Sequence, residues 1–311
     1  MNRLFSTVWS FKLNSWVIAS EHASRHGKRG SSARRLIGCA GLLGITFLSA
    51  SFALAAGLPS GGQIVHGNGQ IGTPGSNQMV IDQASHKLAI DWHSFNIATG
   101  NKVTFNQPGS QSIALNRVLG SDGTKIMGTL EANGRVFLIN PNGILFGAGA
   151  SVDVGSLVAS TLDLSVDDFK QDRYRFKGDG SNSSVDNHGI ITAADGGAIA
   201  LLGGTVSNNG TLVANQGSVA LAAGNTVTLD FAGDGLLNVQ IDEAVMDALV
   251  ENHQLIQADG GQVLLTANAG EALLKTVVNN TGVIEAHTLG ARGRVFESLR
   301  PDQNSLEDPV T

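Results

Sequence analysis

The chain has 311 residues, of which 40 are glycine and only 5% are aromatic, and its length allows about one to three domains. Its single cysteine excludes a disulfide scaffold, its six prolines exclude collagen, and its net charge of −6 argues against a basic nucleic-acid-binding protein. The hydrophobic fraction of 42% excludes a disordered acidic chain.

Residues 1–55 have the pattern of an extended Sec signal peptide. The first 35 residues carry seven basic side chains and one acidic side chain, a charge of +6, and an apolar run over residues 36–54 follows. The small residues Ala53 and Ala55 predict a cleavage site. Subtracting +6 from −6 leaves a charge of −12 on residues 56–311, which contain no cysteine.

Residues 56–311 show almost no helical periodicity. Short aliphatic and β-branched runs alternate with Gly, Asn and Asp, and four Asn-Gly pairs supply turn signals. This density of short strands predicts an all-β fold. Only Ile241–Val250 has apolar residues at helical spacing, which is compatible with a short helix or a long loop. A surface excursion from a sheet, over residues 236–253, is the preferred interpretation.

A phrase of roughly 20 residues repeats over residues 185–286. The unit reads roughly Asn-x-Gly-x-Ile-x-Ala and then, after a gap, Gly-Gly-x-Val-x-Leu, and copies begin at Val185, Val206, Val250 and Val278. A fixed period without helical patterning is typical of a solenoid of short strands, and a β-sandwich or barrel would not require it. The repeats predict a right-handed parallel β-helix, with aliphatic side chains inside and Asn and Thr ladders at the corners.

The two ends of this solenoid are predicted to differ from its repeats. An uncovered first coil would be an aggregation-prone sheet edge. The less regular residues 56–106 are therefore expected to form an N-terminal β cap. Residues 291–311 are polar and predict a tail.

The segment Asn140–Gly143 predicts a sharp corner. Asn, Pro and Gly stand at the first, second and fourth positions, where a type I turn prefers them. Pro141 also favours extended geometry at Asn140. The segment therefore predicts a preorganised turn between strands at residues 135–139 and 144–146, with either a purely structural role or a role in recognition.

No residue cluster predicts an enzyme, a cofactor site or a metal site. Asp91, His93 and Ser94 lie close in sequence, but on a strand Ser94 would point away from the other two. A hydrolase triad needs its serine to reach the imidazole. The acidic pair at residues 167–168 predicts a solvated loop. Metal-binding and phosphate-binding sequence motifs are absent from the sequence.

Three groups of residues together resemble the N-terminal secretion domain of filamentous-haemagglutinin-like exoproteins, which are passengers of two-partner secretion in Gram-negative bacteria. They lie within residues 1–21, 90–118 and 136–161. The resemblance implies a secretion domain over residues 56–290. The haemagglutinin branch carries an upstream Asn-Pro-Asn-Leu motif, whereas Gln107–Ser110 reads Gln-Pro-Gly-Ser. The chain therefore looks more like the high-molecular-weight adhesin and haem–haemopexin-binding branch.

The resemblance implies a surface or secreted, adhesin-like exoprotein. Its expected partners are the Sec machinery, an outer-membrane transporter with periplasmic domains and a host-cell or carbohydrate receptor, but no nucleic acid. The corner would act by fast local folding, by contact with the transporter, or by both. The residues expected to carry the secretion motif are Asn116, Arg117, Asn140, Pro141, Asn142, Gly143 and Ile144.

Two alternatives to the secretion-domain reading stay open. One is an exoprotein that binds haem or a haem carrier, although no haem-ligating motif is present. The other is a β-helical polysaccharide-degrading enzyme, although the required groove of clustered acids and bases is not evident. Passengers of the resembled family normally extend further, so a short passenger, a truncated product or a piece of a larger locus is expected.

Overall fold

The structure is a computed structural model that describes residues 57–231, 237–270 and 277–287, and the backbone of β1 (Phe5–Ser10) and β2 (Ser15–Ser20). The chain divides into two compact units, Met1–Phe52 and Ala53–Thr311. In the first unit, β1 pairs antiparallel with β2. The predicted cleavage residues Ala53 and Ala55 and the predicted tail lie outside the described residues.

Three long sheets form the second unit, and most turns of the chain add one strand to each sheet. Sheet 1 contains β4 (Gly69–Gly75), β5 (Gln78–Gln83), β7 (Lys102–Asn106), β10 (Thr129–Ala132), β13 (Ser151–Val154), β17 (Ile190–Ala193), β20 (Thr211–Val213), β25 (Leu255–Gln257) and β28 (Val283–Glu285). Sheet 2 contains β3 (Gln63–His66), β6 (Lys87–Trp92), β8 (Ile113–Val118), β11 (Arg135–Ile139), β14 (Ser156–Ser160), β18 (Ala198–Gly203), β21 (Ser218–Ala223) and β26 (Gln262–Ala267). Sheet 3 contains β9 (Thr124–Ile126), β12 (Ile144–Phe146), β16 (Ser184–Asn187), β19 (Thr205–Asn208), β24 (Leu249–Asn252) and β27 (Val278–Asn280).

Neighbouring strands within these sheets are parallel, except at the N-terminal end. There β3 pairs antiparallel with β6, and β4 pairs antiparallel with β5, whereas β7 already pairs in parallel with β5. The all-β parallel β-helix predicted from the repeats is confirmed. The antiparallel strands cover the first coil of sheets 1 and 2, which would otherwise present open edges.

Equivalent aliphatic residues stack along the interior of the coil. In sheet 2, Val136 pairs with Leu157, Leu157 with Ile199, Ile199 with Val219, and Val219 with Val263. Strands lie about 4.8 Å apart in a sheet, so each side chain packs on its counterpart in the next coil. This stacking explains why the repeated phrase preserves aliphatic character at fixed positions.

A ladder of asparagines runs along the corner between sheets 3 and 1. The Nδ2 atom of each donates to the Oδ1 atom of the next, from Asn187 to Asn208 at 2.8 Å, to Asn252 at 2.8 Å and to Asn280 at 2.7 Å. The first three side chains are fully buried. Because buried amides are costly unless paired, the ladder accounts for the Asn that recurs in every copy of the repeat.

A separate cover packs on the outer face of sheet 2. It consists of helix α1 (Val166–Lys170) and an antiparallel sheet of β15 (Tyr174–Lys177), β22 (Thr226–Phe231) and β23 (Leu237–Glu243). The two parts of the cover follow β14 and β21, two coils apart along the chain. The central strands β14, β18 and β21 of sheet 2 are thus buried on both faces, which explains their uninterrupted apolar character.

Phe137 is the centre of the aromatic cluster under the cover. Its ring centroid lies 6.4 Å from that of Phe169, 5.5 Å from Tyr174, 6.3 Å from Phe176 and 5.9 Å from Phe231. Phe137 comes from the coil, and the other four rings come from the cover. Edge-to-face and stacked contacts of this kind add to the free energy of apolar burial.

Two sequence interpretations are corrected in the cover. Of the alternatives left open for Ile241–Val250, the short helix is wrong, because residues 237–243 pair with β22 as an antiparallel strand and Leu249–Asn252 is β24 of sheet 3. The loop expected at residues 167–168 is also wrong, because these residues lie in the first turn of α1. Ser165 caps that turn by accepting a hydrogen bond from the Asp168 N–H at 3.0 Å, and acidic residues are favourable at a helix N-terminus.

Lys87 of sheet 2 fastens the end of α1. Its Nζ atom donates to the carbonyl oxygens of Phe169 at 2.9 Å and Lys170 at 3.1 Å, and it pairs with the Asp172 carboxylate at 2.7 Å. The Tyr174 hydroxyl also donates to Asp172 at 2.7 Å. Hydrogen bonds from Lys87 and then Tyr174 hold the pKa of Asp172 below its ordinary value.

The depressed pKa of Asp172 predicts an acid-sensitive cover. A carboxylate with a lowered folded-state pKa contributes stability above its unfolded pKa, near 3.9, and loses that contribution as pH falls through the folded value. We therefore expect Asp172→Asn to flatten the fall in stability as the pH drops below about 4. Urea unfolding at several pH values measures this, and a wild-type slope in the variant contradicts it.

Candidate functional site

The predicted corner lies between β11 and β12, at the junction of sheets 2 and 3. The Gly143 N–H donates to the Asn140 carbonyl at 3.1 Å, which closes the turn. The Asn140 Oδ1 atom accepts from the Asn142 N–H at 3.0 Å, as in other Asx turns. Gly143 has φ of 108°, a conformation that side-chain-bearing residues rarely adopt.

The two asparagine side chains of the corner bind the preceding coil. The Asn140 Nδ2 atom donates to the Asp122 carbonyl at 3.0 Å and to the Thr124 hydroxyl at 2.9 Å. The Asn142 Nδ2 atom donates to the Gly120 carbonyl at 2.9 Å. The corner is therefore cross-linked to the loop at residues 119–123, a contact that the sequence interpretation missed.

Gly120 fits that loop closely against a neighbouring strand end. A β-carbon at this position would lie 2.1 Å from the His93 carbonyl oxygen, so only glycine is accommodated. The backbone N–H of Leu119 donates to the Trp92 carbonyl at 2.8 Å. The loop is thus held both at its start and at the carbonyls that the asparagines bind.

Asn116 supports the coil from inside and is not part of the surface. It is fully buried, and its Oδ1 atom accepts from the Trp92 indole N–H at 3.0 Å. Its Nδ2 atom donates to the carbonyls of Ala114 at 3.2 Å and Phe137 at 3.3 Å. Ile144, another residue expected to carry the motif, is also buried.

Arg117 forms a two-point ion pair with Asp91. The Nε and Nη2 atoms lie 2.9 Å and 3.1 Å from the two carboxylate oxygens, and both side chains are 18% exposed. The hydrogen bond to Asp91 raises the pKa of Arg117, burial opposes the shift, and the nearby Asp163 carboxylate adds to it. Bidentate pairs of this type fix orientation as well as charge.

The residues considered for catalysis and metal binding do not assemble. Asp91 is engaged by Arg117, and the Ser94 hydroxyl lies 2.7 Å from that of Ser60. His188 and His253 occupy the same place in two copies of the repeat, so a shared metal site was considered for them, but they follow β16 and β24, which are separated by β19 in sheet 3. Among the described residues, no group of three or more His, Cys, Asp or Glu side chains is placed to hold a metal ion.

Two grooves flank Pro141. A groove of about 290 Å³ is lined by Arg117, Val118, Leu119, Gly120, Ile139, Pro141, Asn142 and Asp163. A second groove of about 390 Å³ runs between the corner and the cover and is lined by Pro141, Thr161, Asp163, Ser165, Asp168, Arg175, Lys177, Gly178 and Asp179. The structure thus brings Arg117 and the corner together on one surface and adds Leu119 and Asp163 to it.

The family follows from matches over most of the chain. The profile of the TPS secretion domain matches residues 56–305, and that of the Extended Signal Peptide of Type V secretion system matches residues 1–50. The chain belongs to the TPS secretion domain family. Together the two matches indicate export through Sec, followed by secretion across the outer membrane to the cell surface or the medium. In the described part of the chain, no helix has the length and hydropathy needed to span a bilayer.

Similar proteins support the predicted branch of this family. Two heme/hemopexin-binding proteins of Haemophilus influenzae are 35% and 34% identical over 239 and 265 residues, which cover 71% and 78% of this chain. The chain spans only 25% and 28% of their lengths. The crystal structure of the HMW1 secretion domain from Haemophilus influenzae has a TM-score of 0.64 and 31% identity, with 73% of this chain and 58% of that chain covered. The TPS secretion domain family is not an enzyme family.

Proposed function

We propose that residues 56–290 direct a surface or secreted, adhesin-like exoprotein to an outer-membrane transporter with periplasmic domains. The corner at Asn140–Gly143, with Arg117 beside it, is the surface that the transporter recognises. The observation that carries the proposal is the cross-link between this corner and the loop at residues 119–123. It keeps Pro141 and its two grooves in one geometry, as a recognition surface requires.

The leader and the receptor complete this proposal. Sec exports the chain, and cleavage near Ala53 and Ala55 releases a product that begins near Ala56. Once outside, the exoprotein engages a host-cell or carbohydrate receptor through parts beyond the corner surface.

A secretion assay tests the proposed function. We expect the full chain, co-expressed with a two-partner transporter, to release into the medium a product whose N-terminus lies near Ala56. The same cells without the transporter are the control and should retain the product in the periplasm. Equal release with and without the transporter, or retention in both, contradicts the proposal.

Binding of haem or of a haem carrier is a second candidate function. It is favoured by the names of the two Haemophilus influenzae relatives, which share about a third of their residues with this chain over the matched region. Titration of the purified secreted product with hemin, followed by its Soret absorbance, tests whether it binds haem. Retention of the product on immobilised hemopexin tests whether it binds a haem carrier, and absence of both signals argues against this candidate.

A further inference from the structure

We propose that Leu119 and Pro141 form the contact that the transporter engages, and that the two asparagines of the corner act by holding this contact in place. This inference rests on the proposed function and names the residues through which the corner works. We call Leu119, Pro141 and the groove of about 290 Å³ between them the Leu119 patch.

The asparagine amides are occupied by contacts within the domain. Asn140 is fully buried, its Nδ2 atom has two acceptors in the preceding coil, and its Oδ1 atom accepts the Asn142 N–H. The Asn142 amide donates to Gly120. A partner that docks on the folded corner therefore reaches the surface that the amides position rather than the Asn140 amide itself.

Leu119 is the exposed apolar side chain of the loop that Asn140 and Asn142 hold in place. It is 64% exposed, although its backbone is fixed by the bond to Trp92. The adjoining groove is lined by the half-buried Pro141 and by Val118 and Ile139, which are almost completely buried. An exposed leucine on a rigid loop beside an apolar groove has the character of an interface anchor, since neither element must be ordered on binding.

Charge around the patch indicates the chemistry of its partner. Asp122 and Asp163 are exposed, and neither forms an ion pair within 4.0 Å with another described residue, although Asp163 lies near Arg117 and beside Lys177. Arg117 itself is paired with Asp91. Residues 56–311 carry a net charge of −12. The occupant that fits is a segment of the periplasmic part of the transporter with an apolar side chain for the groove and a basic side chain for these carboxylates.

Three substitutions in the full chain test this contact through transporter-dependent release. Leu119→Asp is expected to lower release about tenfold or more, the loss typical of an interface anchor. Leu119→Met retains an apolar side chain and should stay near wild type. Met246→Asp is the matched control, because Met246 is 71% exposed in a turn before β24 and distant in sequence from the corner.

Thermal unfolding of the purified products distinguishes loss of the transporter contact from loss of folding. Leu119→Asp should have a wild-type Tm, since its side chain is exposed. Normal release of Leu119→Asp, or equal defects in Leu119→Met or Met246→Asp, overturns the inference while leaving the proposed function standing. If wild-type release does not depend on the transporter, the proposed function itself fails.

A separate binding experiment tests whether the Asp163 carboxylate attracts a basic side chain of the transporter. The purified wild-type product and Asp163→Asn are compared for binding to the isolated periplasmic domains of the transporter at low and high salt. Asp163→Asn should bind several-fold more weakly at low salt, and the difference should shrink at high salt because exposed charges are screened. Tighter binding by Asp163→Asn, or a difference that persists at high salt, contradicts a basic partner.

Discussion

Asn140→Ala is expected to lower the free energy of unfolding by about 2–6 kcal/mol, because two acceptors in the preceding coil lose their donor at about 1–3 kcal/mol each. Those acceptors are the Asp122 carbonyl and the buried Thr124 hydroxyl. The substitution also removes the acceptor for the Asn142 N–H and so loosens the turn. Transporter-dependent release should fall several-fold as a consequence.

The unfolding measurement has a convenient probe. Trp92 is the only tryptophan in residues 56–311 and is buried in the coil, so its fluorescence during urea unfolding reports the domain. Asn142→Ala is the matched control, because the Asn142 side chain is exposed and gives only one bond to the preceding coil, to the Gly120 carbonyl, besides a longer one of 3.3 Å to the Asn140 Oδ1 atom. Its expected cost is about 1 kcal/mol. Equal losses of unfolding free energy in the two variants would show that the buried Asn140 amide does not stabilise the domain more than the exposed Asn142 amide.

Phe137→Ala is expected to destabilise the domain by about 3–5 kcal/mol, the usual cost of emptying a buried aromatic site. The cavity would open between sheet 2 and the cover, because Phe137 contacts four rings of the cover. The cover should then separate before the coil unfolds. Tyr174, the only tyrosine of the chain, is buried in the folded domain and becomes exposed on this separation, which its ultraviolet absorbance should show.

Phe146→Ala is the control for the second prediction. Phe146 is fully buried inside the coil and belongs to the interior cluster rather than to the cluster under the cover. A loss of stability of similar size is expected, but without early exposure of Tyr174. If both variants expose Tyr174 at the same urea concentration as Trp92, the cover and coil unfold as one unit and the prediction of separate release is wrong.

The hydrogen bonds from Asn140 and Asn142 to the preceding coil change how the corner motif is understood. From the sequence, Asn140–Gly143 is a turn whose asparagines suit turn positions. In the structure, the same asparagines donate hydrogen bonds to the preceding coil and fix the conformation of its loop at residues 119–123. The strand bounds on both sides of the turn were predictable, since Pro141 fixes its own φ and Gly143 permits the positive φ that the turn needs. The partner carbonyls were not, since nothing local to residues 140–143 specifies them.

The repeated phrase by itself determined the coil. Identical positions stack at one strand spacing in a parallel β-helix, so a period near twenty residues is enough to indicate this fold. The Asn of each copy forms the ladder from Asn187 to Asn280. The coils before residue 185 lack the phrase, because their interiors are also filled by large side chains such as Trp92, Phe95 and Phe105. There the resemblance, rather than the period, indicated the fold.

Only the tertiary structure decided the cover and the loop that the corner holds. Tyr174 pairs with Leu229 across two coils, and each strand alone has too little pattern to show its partner. The apolar outer face of sheet 2 was visible in strands such as Ala198–Gly203, but what buries it depends on packing between distant segments. Local sequence dictates turns and strands through backbone sterics, whereas the contacts of Phe137 and Asn140 arise only when coils stack.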